Sequence, residues 1–260
     1  MSKLKVVAII PARMASSRFP GKPLARILDL PMVEHVRRRT LLANSVDEVV
    51  VATCDQEIAE VVTKAGGKAV MTSNTHERAV ERVAEAALQV TADVIVVVQG
   101  DEPLIEPGTV KLTVAPFIDS SEIVCVSLLS PLESNADYSN SNIVKAACDQ
   151  NGNVLYLSRS PIPYYQQNGS CPIYRETGIR AFRTDFLQTY AALPETPFEC
   201  VESVDLMRIL EHGYKIFGVP TEYFTIGVDH DFDVPIVENI LRTNPAQRSL
   251  HRKIDDVVTR

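Results

Sequence analysis

Val6-Val7-Ala8-Ile9-Ile10-Pro11-Ala12-Arg13-Met14-Ala15-Ser16-Ser17-Arg18-Phe19-Pro20-Gly21-Lys22-Pro23-Leu24 is the stretch that orders the rest of the chain. The apolar run from Val6 to Ile10 reads as a buried strand. Pro11 has no N–H for a ladder and is expected to end it. Beyond it the chain turns small, hydroxylated and basic. Ala15, Ser16 and Ser17 lie between Arg13 and Arg18, and Lys22 follows Pro20-Gly21. Small side chains let backbone N–H groups approach an anion, and three cations can neutralise several phosphate oxygens. In α/β sheets such a group binds in the first strand-to-helix loop, beyond the carboxyl end of the strand.

The glycine spacings of the dinucleotide fingerprint and of the Walker loop are both absent. For any single cation here a solvated basic loop is an equal alternative, but the whole string after a first strand argues for an anion site. It resembles the R-x-x-S-x-R-x-P-x-K of sugar-acid cytidylyltransferases. In its fuller form, P-A-R-x-x-S-x-R-x-P-G-K-P-L, it is similar to the 3-deoxy-manno-octulosonate cytidylyltransferases, which make CMP-Kdo.

At 260 residues the chain is long enough for one large domain or two intimate ones. A net charge of −7 argues against nucleic acid as a partner, because such a binder needs a basic face. No apolar run approaches a membrane span, and Met1-Ser2-Lys3-Leu4-Lys5 lacks the features of a signal peptide, so the cytoplasm is the expected location. Cys54, Cys125, Cys148, Cys171 and Cys200 are scattered, without a C-x-x-C pair, and are expected to be reduced and mostly buried.

The first half alternates strand and helix. Residues 31–43 suit an amphipathic helix, 48–53 a strand, 55–65 a helix stopped by Gly66-Gly67, 68–72 a strand and 77–89 a helix. Residues 93–98 form the most apolar strand, expected at the centre of a parallel sheet. The alternation predicts a doubly wound, mostly parallel α/β sheet. The second half reads as strands over 123–129, 143–148 and 154–158, with a hairpin turn at 149–153. Helices are expected over 184–193 and 200–212, then strands over 215–219 and 223–228. A last helix should start between Asp231 and Val234. Residues 244–260 look like a weakly ordered tail, and 164–172 like a long loop, mobile over a site. The expectation is a single nucleotidyltransferase domain over 1–243, with a smaller mixed α+β acceptor and dimerisation region at about 123–212.

Two acidic clusters follow strands. Gln99-Gly100-Asp101-Glu102-Pro103 ends the most apolar strand, so Asp101 should face the same crevice as the first loop. Gly227-Val228-Asp229-His230-Asp231-Phe232-Asp233 ends another. Each has a plain alternative as helix capping, with Asp231 or Asp233 the candidate N-cap of the final helix. Hard oxygen ligands are what a magnesium ion bridging phosphates takes from a protein. His35, His76, His212 and His251 share no spacing and are expected at the surface. There is no nucleophile–base pair, which fits a transfer run by positioning and charge neutralisation.

What the resemblance implies is more specific. Gln-Gly-Asp-Glu-Pro is the family's pattern, and the second cluster is similar to its V-D-T-x-x-D, with His230 at the threonine. The fold implied is the Rossmann-like nucleotidyltransferase fold. CTP would lie over the first loop with Pro11 and Ala12 beside it, Arg13 and Lys22 on its phosphates, and Arg18 in support. Asp101 and Asp229 would hold Mg2+, and Gln99 and Arg82 would contact nucleotide or substrate. Arg13, Lys22 and Asp101 are the implied catalytic residues. The acceptor is the anomeric hydroxyl of an acidic sugar, met by Gln99, Arg159, Glu176, Arg180 and Asp205, and the protein a homodimer.

Arg159 falls in a match to the family's Y-F-S-R-x-x-I-P and is the candidate carboxylate clamp. Departures are also clear. Arg78-Ala79-Val80-Glu81-Arg82 replaces S-G-T-x-R, keeping only the arginine. Glu176 replaces the histidine of R-H-x-G-I-x-A-Y, while Asp205 and Leu206 replace the glutamate and glutamine of L-E-Q-L-R. Strand alternation puts Glu176 and Arg180 on one face, as a gained charge pair, and the lost donors predict that Kdo is not the preferred acceptor. Alternatives are transfer to a nonulosonic acid or a phosphonate, a glycosyltransferase of related fold, and a nucleotide-binding regulator without turnover.

Overall fold

The computed structural model describes residues 3–16, 18–132, 134–167, 171–223 and 226–255. Two compact units divide them: the chain up to Lys111 together with the C-terminal segment, and the chain from Leu112 to the segment before it.

The first unit opens with β1 (Val6–Ala12), buried throughout. The strand continues through Pro11, which aligns with Ala52, and so runs past the end expected for it. The reason is directional. In a parallel ladder each residue presents both backbone groups to one neighbour, alternately left and right. The Ile9 carbonyl accepts the Val98 N–H. Pro11 therefore faces the same side, and the missing N–H removes no bond to the strand carrying Ala52.

A single 3-10 turn, Lys22–Leu24, and a small hairpin, β2 (Arg26–Ile27) and β3 (Leu30–Pro31), lead into α1 (Met32–Leu41). Next come β4 (Glu48–Thr53), α2 (Gln56–Lys64), β5 (Lys68–Met71), α3 (Ala79–Ala87) and β6 (Val94–Val97). Every element expected from 31 to 98 is present within a few residues. The strands lie side by side as β5, β4, β1 and β6, all parallel. The chain winds outward from β1 in one direction, then returns to start again on its other side. That reversal between β1 and β6 is where a doubly wound sheet leaves a crevice at the carboxyl ends of its strands.

α4 (Pro107–Asp119) carries the chain into the second unit and was not foreseen. Its signal was Val110, Val114 and Phe117, buried at helical spacing behind Pro107. The second unit holds β7 (Cys125–Pro131), α5 (Asn135–Ser139), β8 (Lys145–Cys148), β9 (Val154–Ser158), β10 (Tyr174–Arg183) and α6 (Thr184–Ala192). β8 and β9 are the expected hairpin, with Asp149 accepting the Asn151 and Asn153 N–H groups at 2.8 Å each. β10 runs antiparallel to β7 and β8.

The helix expected over 200–212 is two helices, α7 (Pro197–Glu202) and α8 (Met207–Glu211), broken at Ser203, whose φ is 51°. In one continuous helix Glu199 and Arg208 would stand about 13 Å apart. Folded back, the buried Glu199 carboxylate takes the Arg208 guanidinium at 2.7 Å twice. β11 (Phe217–Pro220) then pairs parallel with β7.

Two further expectations fail. No strand occupies the described part of 223–228, where Val228 N–H bonds instead to the Asp101 carbonyl as part of a loop; Phe224 and Thr225 lie outside the described residues. After α9 (Asp233–Thr243), the supposed tail forms α10 (Pro245–Asp255). The Asn244 side chain accepts the Ala246 and Gln247 N–H groups, and Pro245 opens the helix. Gln247 is buried against Arg39 and the Leu104 carbonyl, and Ile254 is fully buried. Residues 256–260 lie outside the described residues.

The histidines and cysteines are also redistributed. His35 is fully buried and stacks on His251, while His76 is only partly exposed. Cys125 alone is fully buried, and Cys171 and Cys200 are exposed. The arginines of α1 are buried as well: Glu34 takes Arg37 and Arg38 in bonds of 2.7–2.9 Å, and Arg39 donates to Gln247 and the Ile105 carbonyl.

Candidate active site

The crevice beside β1 holds a cleft of about 310 Å³ lined by Pro11, Ala12, Arg13, Ser16, Arg18, Lys22, Arg82, Gln99 and Asp101. Ser17 lies outside the described residues. The first loop is pinned at both ends. Met14 N–H donates to Asp55 Oδ2 at 2.7 Å, and the Met14 carbonyl accepts the Gly21 N–H at 3.0 Å. Gly21 sits at φ 74°, which a side chain would strain, and this reversal starts the turn that presents Lys22. The second wall packs on the end of β1 just as closely, for a Cβ at Gly100 would stand 2.7 Å from the Pro11 carbonyl oxygen. The cleft is thus framed by backbone that tolerates little displacement.

Within that frame four charges meet. Lys22 Nζ lies 2.6 Å from Asp101 Oδ2, 2.9 Å from the Val228 carbonyl oxygen and 3.9 Å from Asp229 Oδ1. Arg18 donates to the same Asp229 oxygen at 2.7 Å. Asp229 is held in turn by Asp233, whose Oδ2 accepts the Asp229 and His230 N–H groups at 2.9 and 2.8 Å. His230 turns aside and stacks on Phe232.

Arg82 is buried at the start of α3 and donates to Thr72 Oγ1 at 2.5 Å and the Ser73 carbonyl at 3.2 Å. Where the S-G-T element was expected, Glu81 accepts the Glu77 and Arg78 N–H groups at 3.2 and 3.3 Å and so closes the first turn of α3. His76 bonds Glu85, which also accepts the Ser73 N–H. The Ser73 bond and the His76 contact hold the Glu85 carboxyl below its usual range.

No group of three or more His, Cys, Asp or Glu side chains gathers as a metal site among the described residues. Asp101 and Asp229 nevertheless bracket one ammonium between them, so the seat accepts a cation. Two carboxylates are a fitting protein share for a magnesium ion that takes its other ligands from phosphate and water.

In the second unit Glu176, Arg180 and Asp205 form one cluster. Arg180 Nη1 donates to both Asp205 oxygens at 2.8 Å, and Nε to Glu176 Oε1 at 3.1 Å. Between Glu176 and Arg180, three residues of β10 oppose the single Leu128 of β7, an excess of two, so both side chains stay on one face. The expected charge pair is present. Burial works against the guanidinium charge, yet Asp205 and Glu176 outweigh it and hold the Arg180 pKa well above its usual value. Glu176 Oε1 also accepts from Ser127 and the Gly178 N–H. Arg159 stands apart, donating to the Glu202, Ser141 and Ser203 carbonyls at 2.7–3.3 Å.

Residues 7–216 match the family model described as Cytidylyltransferase. The chain belongs to the cytidylyltransferase family. Among curated relatives it is 43% identical over 251 residues to the 3-deoxy-manno-octulosonate cytidylyltransferase of Geobacter metallireducens, covering 92% of this chain and 99% of that one. It is 42% identical to the protein of the same name from Syntrophotalea carbinolica, with the same two coverages. A solved CMP:2-keto-3-deoxy-manno-octonic acid synthetase complexed with CTP superposes with a TM-score of 0.88 at 37% identity, over 92% of this chain and 98% of that one. A cytidylyltransferase from Leptospira borgpetersenii, at 20% identity and TM-score 0.59, shares the fold. The resemblance read from the first loop therefore holds over nearly the whole chain.

Sequence reasoning overlooked three parts of this cytidylyltransferase cleft. Asp55 anchors the first loop, and its one signal was an aspartate directly after a strand. Asp231 or Asp233 was the expected N-cap of the last helix, but Phe232 takes that position and the Asp233 carboxylate holds the Asp229 and His230 N–H groups instead. The Val228 carbonyl, the second hydrogen-bond acceptor on Lys22, has no side-chain signal at all.

Proposed function

We propose that this chain transfers the CMP unit of CTP to the anomeric hydroxyl of Kdo, releasing pyrophosphate. The observation that carries the reading is the Lys22–Asp101–Asp229 cluster at the carboxyl ends of β1 and β6, opening on a cleft lined by Arg13 and Arg18. Arg13, Arg18 and Lys22 bind the triphosphate, and Lys22 and Arg13 steady the charge that moves onto the leaving pyrophosphate. Gln99 and Arg82, with Pro11 and Ala12, form the rest of the nucleotide wall. The acceptor oxygen attacks the α-phosphorus in line, the bond to the β-phosphate oxygen breaks, and the acceptor proton passes to solvent. Asp101 and Asp229 hold magnesium, whose chemistry is to neutralise phosphate charge and orient the α-phosphate when bound.

Kdo as acceptor reverses the expectation drawn from Glu176, Asp205 and Leu206. The replaced side chains satisfy one another. Glu176, Arg180 and Asp205 are nearly buried and mutually paired, and so offer a different acid little that is new. The curated relatives and the solved synthetase carry the same acceptor in their names. The cluster stands as a shaping element of the acceptor region, and Arg159 braces the backbone around Ser203 rather than waiting as a free clamp. A cytoplasmic location and a homodimer belong to the same proposal. Phe198 and Val201, exposed on one face of α7, support an apolar contact there; no helix among the described residues is long and apolar enough to cross a membrane.

The test is pyrophosphate release with magnesium across CTP, UTP, ATP and GTP, each with Kdo, a nonulosonic acid or a phosphonate. Release that needs both CTP and Kdo supports the proposal. A better rate with another acid rejects Kdo, and binding of CTP without release under any pairing leaves a regulator instead of an enzyme.

A further inference from the structure

Four of the charges in the cleft already pair with one another before any nucleotide is bound. Asp101 and Asp229 contribute two negative charges, Lys22 and Arg18 two positive ones, and all four touch within one chain of contacts. Lys22 is the least exposed of them, and its ammonium donates to Asp101 and to the Val228 carbonyl and lies 3.9 Å from Asp229 Oδ1. We propose that Lys22 is the resident cation of the seat between Asp101 and Asp229 in the nucleotide-free protein, so that a divalent cation enters only together with the nucleotide. This rests on the metal-dependent reading above and adds an order of events to it.

A divalent ion arriving alone must drive an ammonium from two acceptors and a second carboxylate, and leave Lys22 and Arg18 unpaired beside it, which like-charge repulsion opposes. A triphosphate changes that balance. Its oxygens supply new acceptors for Lys22 and Arg18, the carboxylates are released, and the seat is vacated as the phosphate charge that needs neutralising arrives. The short, anchored loop permits this, since Lys22 has a flexible four-carbon stem on a fixed turn. Lys22 then alternates between two sets of oxygen partners, and the alternation keeps the metal out of an empty cleft.

The experiment is a manganese titration followed by the electron-paramagnetic-resonance signal of free Mn2+, on the full chain, without nucleotide and then with a non-hydrolysable α,β-methylene CTP. The wild type should bind Mn2+ weakly alone and at least tenfold more tightly with the analogue. Lys22→Met should bind Mn2+ without nucleotide at least tenfold more tightly than the wild type, whereas Lys22→Arg should stay weak because it keeps the charge. Adding Asp101→Asn to Lys22→Met should abolish the gain. Thermal melts of each variant establish that it is folded. Equal Mn2+ affinity of folded Lys22→Met and wild type without nucleotide overturns the inference alone. Absence of Mn2+ binding by the wild type even with the analogue overturns the metal-dependent reading beneath it.

Discussion

At the scale of single residues the account turns on how few side chains are asked to act. Asp101→Asn or Asp229→Asn keeps the shape of the side chain and removes its charge. Each should lower turnover by roughly 10²–10³-fold, the size seen when one preorganised electrostatic contact to a transition state is lost. Steady-state rates with unchanged melting curves are the check, and near-normal turnover removes that residue from the mechanism. Asp233 acts at one remove. Asp233→Ala frees the Asp229 backbone and should lower kcat more than it raises the KM for CTP, with partial recovery in Asp233→Asn, which retains an acceptor oxygen. A loss confined to stability would make Asp233 a simple helix residue. Arg13 and Asp101 were legible because a charged residue just after an apolar strand has few places to be, and Lys22 because it completes the R-x-x-S-x-R-x-P-x-K pattern. Asp55 and Asp233 were not, since each acts on a backbone N–H and nothing in the spacing announces such a bond.

At the scale of elements, the firmest lesson comes from the C-terminal helix. Asn244-Pro245 followed by charged residues reads equally as a tail and as a capped helix start, and only the partners on α1 decide it. One of those contacts has a pH signature. Burial lowers the His35 pKa from 6.5 to about 4, against the opposing bond to the Ile27 carbonyl, with Arg39 and His251 acting in the same direction as burial and Asp29 against it. The folded state therefore resists protonation more than the unfolded one. This term is at its full value above about pH 6.5, falls as the pH drops toward 4, and levels off below, a total of roughly 3 kcal/mol. Melting temperatures between pH 4 and 7 should show that slope, and His35→Gln, which keeps a donor for the Ile27 carbonyl, should flatten it. An unchanged slope in the variant places the titration elsewhere. The break at Ser203 was invisible for a related reason: the Glu199–Arg208 pair that rewards it exists only once the chain has folded back.

At the scale of the molecule, the winding of the first unit was legible because apolar strands alternating with amphipathic helices admit few arrangements, and the reversal beside β1 places the cleft. The second unit was harder to read. Its strands were largely located, but α4 and α5 were passed over, because Pro107, Gly108 and Pro116 in one and the polar Asn135–Ser139 run of the other look like loop. The proposed dimer is tested at this scale by Val201→Arg. Sedimentation should give a dimer for the wild type and a monomer for the variant, and a wild-type monomer at micromolar concentration removes the proposal. The central claim is transfer at the α-phosphorus of CTP to Kdo. Its most direct measurement is the mass-resolved product of a reaction with CTP, Kdo and magnesium. The account predicts one CMP–Kdo conjugate for each pyrophosphate released, with neither formed when Kdo is omitted. CMP without a conjugate, or CDP with free phosphate, would contradict it.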